Sequence, residues 1–455
     1  MKAPSPPTGP RPPIRPTHRM DGWSPMLSSE LVVGVDIGST TTCAVVAEAF
    51  LDRDLIDVLG VGMAPSQGVA RGVVEDSASA SRCVREALQS AEAMADVDVQ
   101  TAVVSLGGEH LASQTEIGML EIPGNRPVTA DHLESVRVQG QEITLPPGRE
   151  VVHVDACDYS LDARRGLASP LGMSGSQLEA QLNIVTGAAV ARGRIEEAMQ
   201  RADLTVHQFA LEGLATGIAC LSEEERQLGV SLVSIGGGTT NISHFRHGAL
   251  SFHSVLPLGG EIISKDIASC LTTTLGEGER LKLAFGDPQV RGNPQAEITY
   301  RMGAEQEMGA VTVDLLSQIM GARVEEILEM ARDRLMVRGC LAASPCGLVL
   351  AGGSSRLPGL VETARRLYGG MPTKLAEPRR IGNGMELVRD PSTHAALGLT
   401  ILAGDWTKAE ISRAESMGLF ERLWLAVKDL IGIGRKDAPA TGPAAPGAEP
   451  ENGRG

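Results

Sequence analysis

A glycine-turn hairpin that occurs twice is the strongest constraint on what this chain can fold into. The first copy is LVVGVDIGSTTTCAVVAE, Leu31 to Glu48, and the second is GVSLVSIGGGTTNISHFRHG, Gly229 to Gly248. Each has an apolar run, a turn of glycine and hydroxyl residues, and a second run with partial alternation. That pattern predicts a buried strand and its hairpin partner. Gly38 and the run Gly236, Gly237, Gly238 permit a tight bend that presents bare N–H groups, and Ser39, Thr40, Thr239 and Thr240 add hydroxyl donors. Concave clusters of such donors suit phosphate oxygens. One copy reads as readily as an ordinary β-turn. Two copies, each opening one half of a chain, predict two jaws that close on one polyphosphate. GxxxxGK[ST] is absent, which excludes the Walker loop.

A third glycine element follows, CGLVLAGGSSRLPGLVETARRLYG from Cys346 to Gly369, read as strand, Gly-Gly turn and amphipathic helix. Gly352 and Gly353 would let a flat ring lie against the backbone, and Ser354 and Ser355 could bond to it. Third in order after two phosphate hairpins, it resembles the adenosine site of the actin, Hsp70 and sugar-kinase superfamily.

With 455 residues the chain has room for two or three domains. A net charge of −15 argues against a nucleic-acid-binding body, because a phosphate backbone would be repelled. The seven cysteines are scattered without a CxxC pair, mostly among apolar neighbours, and read as small core residues of a reduced, cytoplasmic protein. There is no apolar run of about 18 residues, so no spanning helix is predicted. The proline-rich first 30 residues lack the apolar core of a signal peptide and read as a disordered extension.

Order is expected from near Leu31. Ser77–Ala95 reads as a helix with Val84, Leu88, Ala91 and Met94 on one face, and Gln100–Leu106 as a strand. From Gly107 to Gly187 the texture changes to a small inserted β/α subdomain, with a polar helix at ADHLESVRVQGQ and strands at EVVHVDACDYSLD and QLEAQLNIVTG. A helix is expected from Ala189 to Ala202. Between Leu256 and Met336 the pattern is helical, apart from a polar loop from Asp287 to Met308. A last helix lies in Asp390–Gly404. The βα order, repeated in two halves, predicts an α/β fold of two similar domains around a cleft.

After a polar linker (DWTKAEISRAESM) comes GLFERLWLAVKDLIGIGRK. Leu419, Phe420, Leu423, Trp424, Val427, Leu430 and Ile431 recur at helical spacing and form one apolar face. Arg422, Lys428, Arg435 and Lys436 supply cations. Too short to span, such a helix can lie in the headgroup plane with Trp424 at the interface. A helix packed on the protein body is the alternative reading.

Together these residues resemble FtsA, a family of actin-like proteins that tether the bacterial division ring to the inner membrane. The resemblance runs from about Leu31 to Lys436 and is most specific in PPGREVVHVDACDYSLD and GLASPLGMSGSQLEAQLNIVTG, which look like the subdomain FtsA carries in place of actin's usual one. SFHSVLPLGGEIISKDIA is also family-like. It implies an actin-like fold with subdomain IA at 31–105, 187–226 and 386–405, and an inserted subdomain IC at 106–186. Subdomain IIA would cover 227–269 and 342–385, and IIB 270–341. A linker at 406–417, a membrane helix at 418–436 and a disordered tail at 437–455 complete the expectation.

Carried over, the resemblance gives Asp36, Gly38, Ser39 and Thr40 to a first phosphate loop and Gly236, Gly237, Gly238, Thr239 and Thr240 to a second. Glu279 and Lys282, three apart on one helix face, match the ribose- and adenine-contacting pair, with an ordinary surface pair as the alternative. Gly352, Gly353 and Ser354 would hold adenosine. Asp36 would reach Mg²⁺ through water, and Glu212 sits where related ATPases place a carboxylate near the magnesium hydration shell, unless it is a solvated helix-start residue. Arg323 and Glu326 fall where the family's helix meets the C-terminal tail of FtsZ, or are a solvated i,i+3 pair. ATP, Mg²⁺, FtsZ, further copies of the chain, later division proteins and anionic lipid are thus the implied partners.

Three departures bear on turnover. Ser234 and Asn241 stand where the family has aspartates around IGGGT, and Thr41 stands where a lysine is common. Serine and asparagine cannot supply the charge that holds hydrated Mg²⁺ or orients water, so hydrolysis is expected to be slow or absent. The competing readings are a PilM-like actin homologue of pilus assembly and an ATP-consuming chaperone or kinase of the same superfamily. Against the latter stand the missing carboxylates and the lack of an Hsp70-type substrate domain.

Overall fold

The computed structural model describes residues 29–286, 293–303 and 307–416, with side chains through Ala409. Two five-stranded sheets share one topology. In the first, Ser29–Ile37, Thr41–Phe50 and Ile56–Pro65 form an antiparallel meander, and Thr101–Leu106 and Thr205–Leu211 add in parallel on the other side of Ser29–Ile37. In the second, Val230–Ile235, Thr240–Arg246 and Ala249–Leu256 form the meander, and Leu348–Ala351 and Thr373–Leu375 add in parallel. The repeated hairpin motif is therefore the start of each half.

The central strands are buried throughout their inner stretches, as Val33, Val35 and Ile37 are in the first sheet and Val230–Ile235 in the second. Continuous apolar runs suit strands covered on both faces. One core gathers around Val35, Val45, Val104, Leu211 and Leu399, and another around Val233, Ile242, Leu281, Leu316 and Leu350. The helices Glu212–Cys220 and His394–Ser416 cross at backbone contact in the first core. A Cβ on Gly398 would stand 1.8 Å from the Ala215 carbonyl oxygen, so no larger residue fits that crossing.

The helix Ser77–Ala95 has the bounds its periodicity predicts. Its N-terminus is capped by Asp76, which accepts from the Ala78 amide at 3.0 Å. Val84, Leu88 and Ala91 are buried, but Met94 is 51% exposed, since the packed stripe runs through Ala80 and Ala87 instead. The insert between the first half's strands is a four-stranded antiparallel sheet, ordered Ala112–Glu121, Gln177–Ala188, Arg149–Leu161, Arg164–Leu167. The helix Ala130–Gly140 packs on it over a third core of Leu178, Leu182, Ile184 and Val136. Its sheet grips both backbone groups of Leu250 in the second half: Asn183 Nδ2 donates to the Leu250 carbonyl at 2.8 Å, and the Leu250 amide donates to Asp155 at 2.8 Å.

Two expectations are corrected. The stretch read as a polar loop contains an antiparallel ribbon, Glu297–Met302 against Glu307–Thr312. Ile298, Tyr300 and Val311 alternate inward, and the charged residues between them mask that period. The polar linker is helical as far as Ser416, because no proline or glycine follows Gly404 until Gly418 to end the helix that starts at His394. The amphipathic segment 418–436 lies outside the described residues, as do the first 28. Among the described residues no helix is long and apolar enough to cross a membrane.

Candidate nucleotide site

The two hairpin turns are the same turn built twice. Ile37 pairs with Thr42, and Gly38 N donates to Thr41 O at 3.1 Å; Ile235 pairs with Thr240, and Gly236 N donates to Thr239 O at 2.8 Å. Both leave their sheets at the carboxyl ends of central strands, the usual position of ligand sites in open α/β sheets. They meet tip to tip. A Cβ on Gly237 would lie 2.3 Å from Thr40 Oγ1, and one on Gly238 would lie 2.5 Å from Ser39 Oγ. The start of the helix Gly260–Cys270 fixes the second turn, since the amides of Gly260 and Glu261 donate to the carbonyls of Gly236 and Gly237, each at 2.8 Å. Among the described residues the amides of Ser39, Thr40, Gly237 and Gly238 donate to no protein acceptor. Four bare amides at one point form a cradle for anionic oxygen.

A cleft of about 1210 Å³ opens above this floor between the two halves. Asp36, Gly38, Ser39, Thr40, Gly236, Gly237, Thr239, Glu279, Lys282, Gly352, Gly353, Ser354 and Glu212 all line it. Gly238 and Thr240 stand behind the wall; the Thr240 hydroxyl is spent on the Leu258 carbonyl at 2.8 Å. Lys282 is buried, bonds Gly260 O at 3.0 Å and pairs with Glu279 at 2.7 Å. Lys282 is therefore built into the wall, while Glu279 keeps a partly exposed edge toward the cleft. Ser354 Oγ donates to Gly236 O at 3.2 Å, which ties the third glycine element to the second turn, and a Cβ at Gly353 would meet nothing within 4 Å. That leaves a flat open face. Leu275, Leu283 and Phe285 border the same end; Leu283 is 69% exposed. Sequence reading missed these three, although apolar residues on the polar face of a short helix are a usable signal.

Asp36 and Glu212 lie together at the cleft base, 176 positions apart in the chain. Asp36 ends the first central strand, and Glu212 starts the helix Glu212–Cys220. Burial pushes both carboxyls above the usual carboxylate range, and the charge of Asp36 pushes Glu212 further. The Ser105 hydroxyl draws Asp36 partly back. Neither carboxylate makes an ion pair among the described residues. Two carboxyl groups without a cationic partner, facing a polyphosphate cradle, suit a hydrated Mg²⁺, which binds through one or two carboxylates plus substrate phosphates and would itself favour their charged forms. No cluster of three potential ligands exists among the described residues, so a cage made by protein alone is not formed.

Internal symmetry sharpens the departures. Ser234 takes in the second half the place of Asp36, opposite Asn241, as Asp36 stands opposite Cys43. Asn241 is 1% exposed and neither of its amide atoms completes a hydrogen bond, although it lies near enough to favour the charged form of Glu212. Arg323, expected at a partner surface, is tied back to the helix Gly260–Cys270 by a bidentate pair with Asp266 at 2.6 and 3.1 Å, and also pairs with Glu326.

Glu212→Gln is expected to raise the melting temperature of the metal-free protein by about 2–4 °C at neutral pH. A carboxyl whose folded pKa is raised binds its proton more tightly when folded. Its cost to stability therefore grows as pH rises above the ordinary carboxylate range. The gain from the amide should shrink toward pH 4. Melting curves in a chelator across that range decide it, and a pH-independent or negative shift would contradict the pairing of Glu212 with Asp36.

Comparison with known proteins places the chain. The family description "Cell division protein FtsA" matches residues 231–398, and "SHS2 domain inserted in FTSA" matches 108–186. Cell division protein FtsA of Pseudomonas aeruginosa is 33% identical over 373 residues, which cover 82% of this chain and 89% of that protein. The protein of the same name from Bacillus subtilis is 32% identical over 377 residues, covering 82% and 83%. Among solved structures, the PilM–PilN type IV pilus biogenesis complex aligns with a TM-score of 0.58 at 18% identity, over 82% of this chain and 98% of that one, a likeness of fold.

Proposed function

Because this chain belongs to the FtsA family of actin-like bacterial cell division proteins, we propose that it is an ATP-binding scaffold that polymerises on the cytoplasmic face of the inner membrane, anchors FtsZ there and helps recruit later division proteins. The observation that carries this reading is the pair of equivalent turns meeting tip to tip, with the unpaired amides of Ser39, Thr40 and Gly237 lining a cleft between two halves. ATP would place its phosphates on those turns, its ribose and base near Glu279 and Lys282, and its adenine on the open face at Gly352, Gly353 and Ser354. Mg²⁺, when bound, would offset phosphate charge near Asp36 and Glu212. Since the ligand touches both halves, its presence biases their relative position, as a switch requires. The proposal assigns the two halves, the insert and the helical subdomain to the four FtsA subdomains at the boundaries suggested by sequence.

Turnover should be slow. With Ser234 in place of a second carboxylate and Thr41 in place of a lysine, the chain has few groups to orient water or offset charge. Purified protein on lipid should form ATP-dependent filaments, seen by electron microscopy, while releasing far less than one phosphate per second per subunit. Filaments indifferent to nucleotide, or turnover of many per second, would contradict the switch.

The FtsZ tail is assigned to the helical subdomain at the helix Val313–Val337. Arg323 already satisfies Asp266, so its part there is to hold Asp266 and Glu326 in a fixed acidic array and not to offer a free guanidinium. Charge reversal at both Arg323 and Glu326 breaks that array and should weaken FtsZ-tail peptide binding by about tenfold, as loss of a charge-assisted pair between the array and a peptide cation implies. Unaltered affinity by fluorescence anisotropy would move the tail elsewhere.

A further inference from the structure

The cleft wall carries two carboxyl groups near the phosphate turns and, among the described residues, few cations. Among the described residues that line it, the two cationic side chains, Lys282 and Arg356, are engaged, the first by Glu279 and the Gly260 carbonyl and the second by Asp390. A nucleoside triphosphate laid on the turns would bring further negative charge toward Asp36 and Glu212. A compensating cation is chemically wanted there.

A small structure touches both phosphate turns. It is the two-residue turn Arg71–Gly72, between the short antiparallel strands Val69–Ala70 and Val73–Val74. The Gly72 amide donates to Ser39 Oγ in the first phosphate turn at 2.8 Å. A Cβ on Gly72 would lie 3.3 Å from Thr239 Cγ2, and one on Gly238 would lie 3.3 Å from Arg71 N, both in the second phosphate turn. The Arg71–Gly72 turn thus sits across the junction of the halves.

Both of its residues are left-handed, with φ of +48° at Arg71 and +74° at Gly72. That conformation calls for Asn-Gly or Gly-Gly, and an arginine there carries backbone strain. Packing does not compensate it, since the Arg71 side chain is 57% exposed. Among the described residues its ionic partner is Glu109 at 3.8 Å, an exposed pair that holds the guanidinium weakly. A strained residue with a loosely held charge, beside an anion cradle, suggests function rather than stability.

The geometry points to Arg71 as the cation that engages the terminal phosphate of a bound nucleoside triphosphate, exchanging Glu109 for phosphate oxygens. It rests on the reading of the cleft as a nucleotide site, and it adds a residue that tells triphosphate from diphosphate. A planar guanidinium bonds two phosphate oxygens at once, which favours arginine for this task.

The test is equilibrium binding of Mg·ATP and Mg·ADP to the full chain by calorimetry, with circular dichroism to monitor folding. Arg71→Asn suits the left-handed turn and removes the charge; it should weaken ATP about tenfold while ADP stays within about twofold. Arg71→Lys should recover part of the loss, and Glu109→Gln should tighten ATP by freeing the guanidinium. If Arg71→Asn binds both nucleotides like the wild type, or loses both equally, Arg71 shapes the turn and reads no phosphate. Failure of the wild type to bind either nucleotide would instead overturn the nucleotide site itself, so the two failures are distinct.

Discussion

Gly237→Val should weaken ATP binding by at least about a hundredfold, roughly the loss of two hydrogen bonds to a charged group, while the protein stays folded. The position is special because the two turns touch there. A Cβ at Gly237 would stand 2.3 Å from both Thr40 Oγ1 and Cγ2, and 2.8 Å from Thr40 Cβ. Valine cannot enter that space unless the tips part. Parting them separates the amides of Ser39 and Thr40 from those of Gly237 and Gly238, and phosphate oxygens then lose one side of their cradle. The clash falls on the turn tips and not on a core side chain, so melting should change little. Gly236→Ala is the control: a Cβ there meets Thr239 O at 3.2 Å and clears the other turn, so its loss should be much smaller. Calorimetry on the three proteins decides it. Equal affinity of folded Gly237→Val and wild type would remove the turns from phosphate binding.

The second large effect concerns the segment 418–436. In water so short an amphipathic helix is marginal. On anionic lipid it can bury its apolar face, while Arg422, Lys428, Arg435 and Lys436 meet headgroup phosphates. Phe420 and Trp424 offer the largest apolar areas, each worth roughly 1.5–3 kcal/mol when fully buried. Replacing both by Glu loses that burial and adds repulsion from an anionic surface, so vesicle binding should fall by orders of magnitude. Truncation after Lys436 should change little, because the remaining tail has almost no apolar content. Flotation with vesicles containing anionic lipid separates the three proteins. A double-Glu variant that still floats would return this helix to the protein body.

What could be read from sequence follows how strongly each element buries a periodic face. Val230–Ile235 is buried at every position and Ser77–Ala95 along a regular stripe, and both stand out as apolar pattern. The insert strand Gln177–Ala188 is legible for the same reason, whereas Arg149–Leu161, mostly half-buried, shows itself by its β-branched and alternating residues. The strand Ala112–Glu121 is not legible: only Gly118 in it is buried, while Ile117 and Met119 face outward, so no alternation marks it. The helical continuation to Ser416 was hidden by polar composition, which speaks of exposure and not of backbone state.

In the cleft, the glycine turns announced themselves through residue type. Their meeting did not, because nothing in GGG distinguishes Gly237, which faces Thr40, from Gly236, which does not. The proximity of Asp36 to Glu212 depends on the sheet order of the first half, and the strained Arg71 depends on a hairpin too short to leave a periodic trace. Tertiary closure, not local pattern, assembles these groups.

The measurement that bears most directly on the nucleotide cleft is photolabelling of the full chain with 8-azido-ATP in Mg²⁺, followed by peptide mapping. Label should fall within Leu275–Gly286 or Gly352–Pro358, the segments bordering the proposed base position, and excess ATP should remove it. Label confined to the insert, or label that ATP does not displace, would contradict a nucleotide held between the two halves.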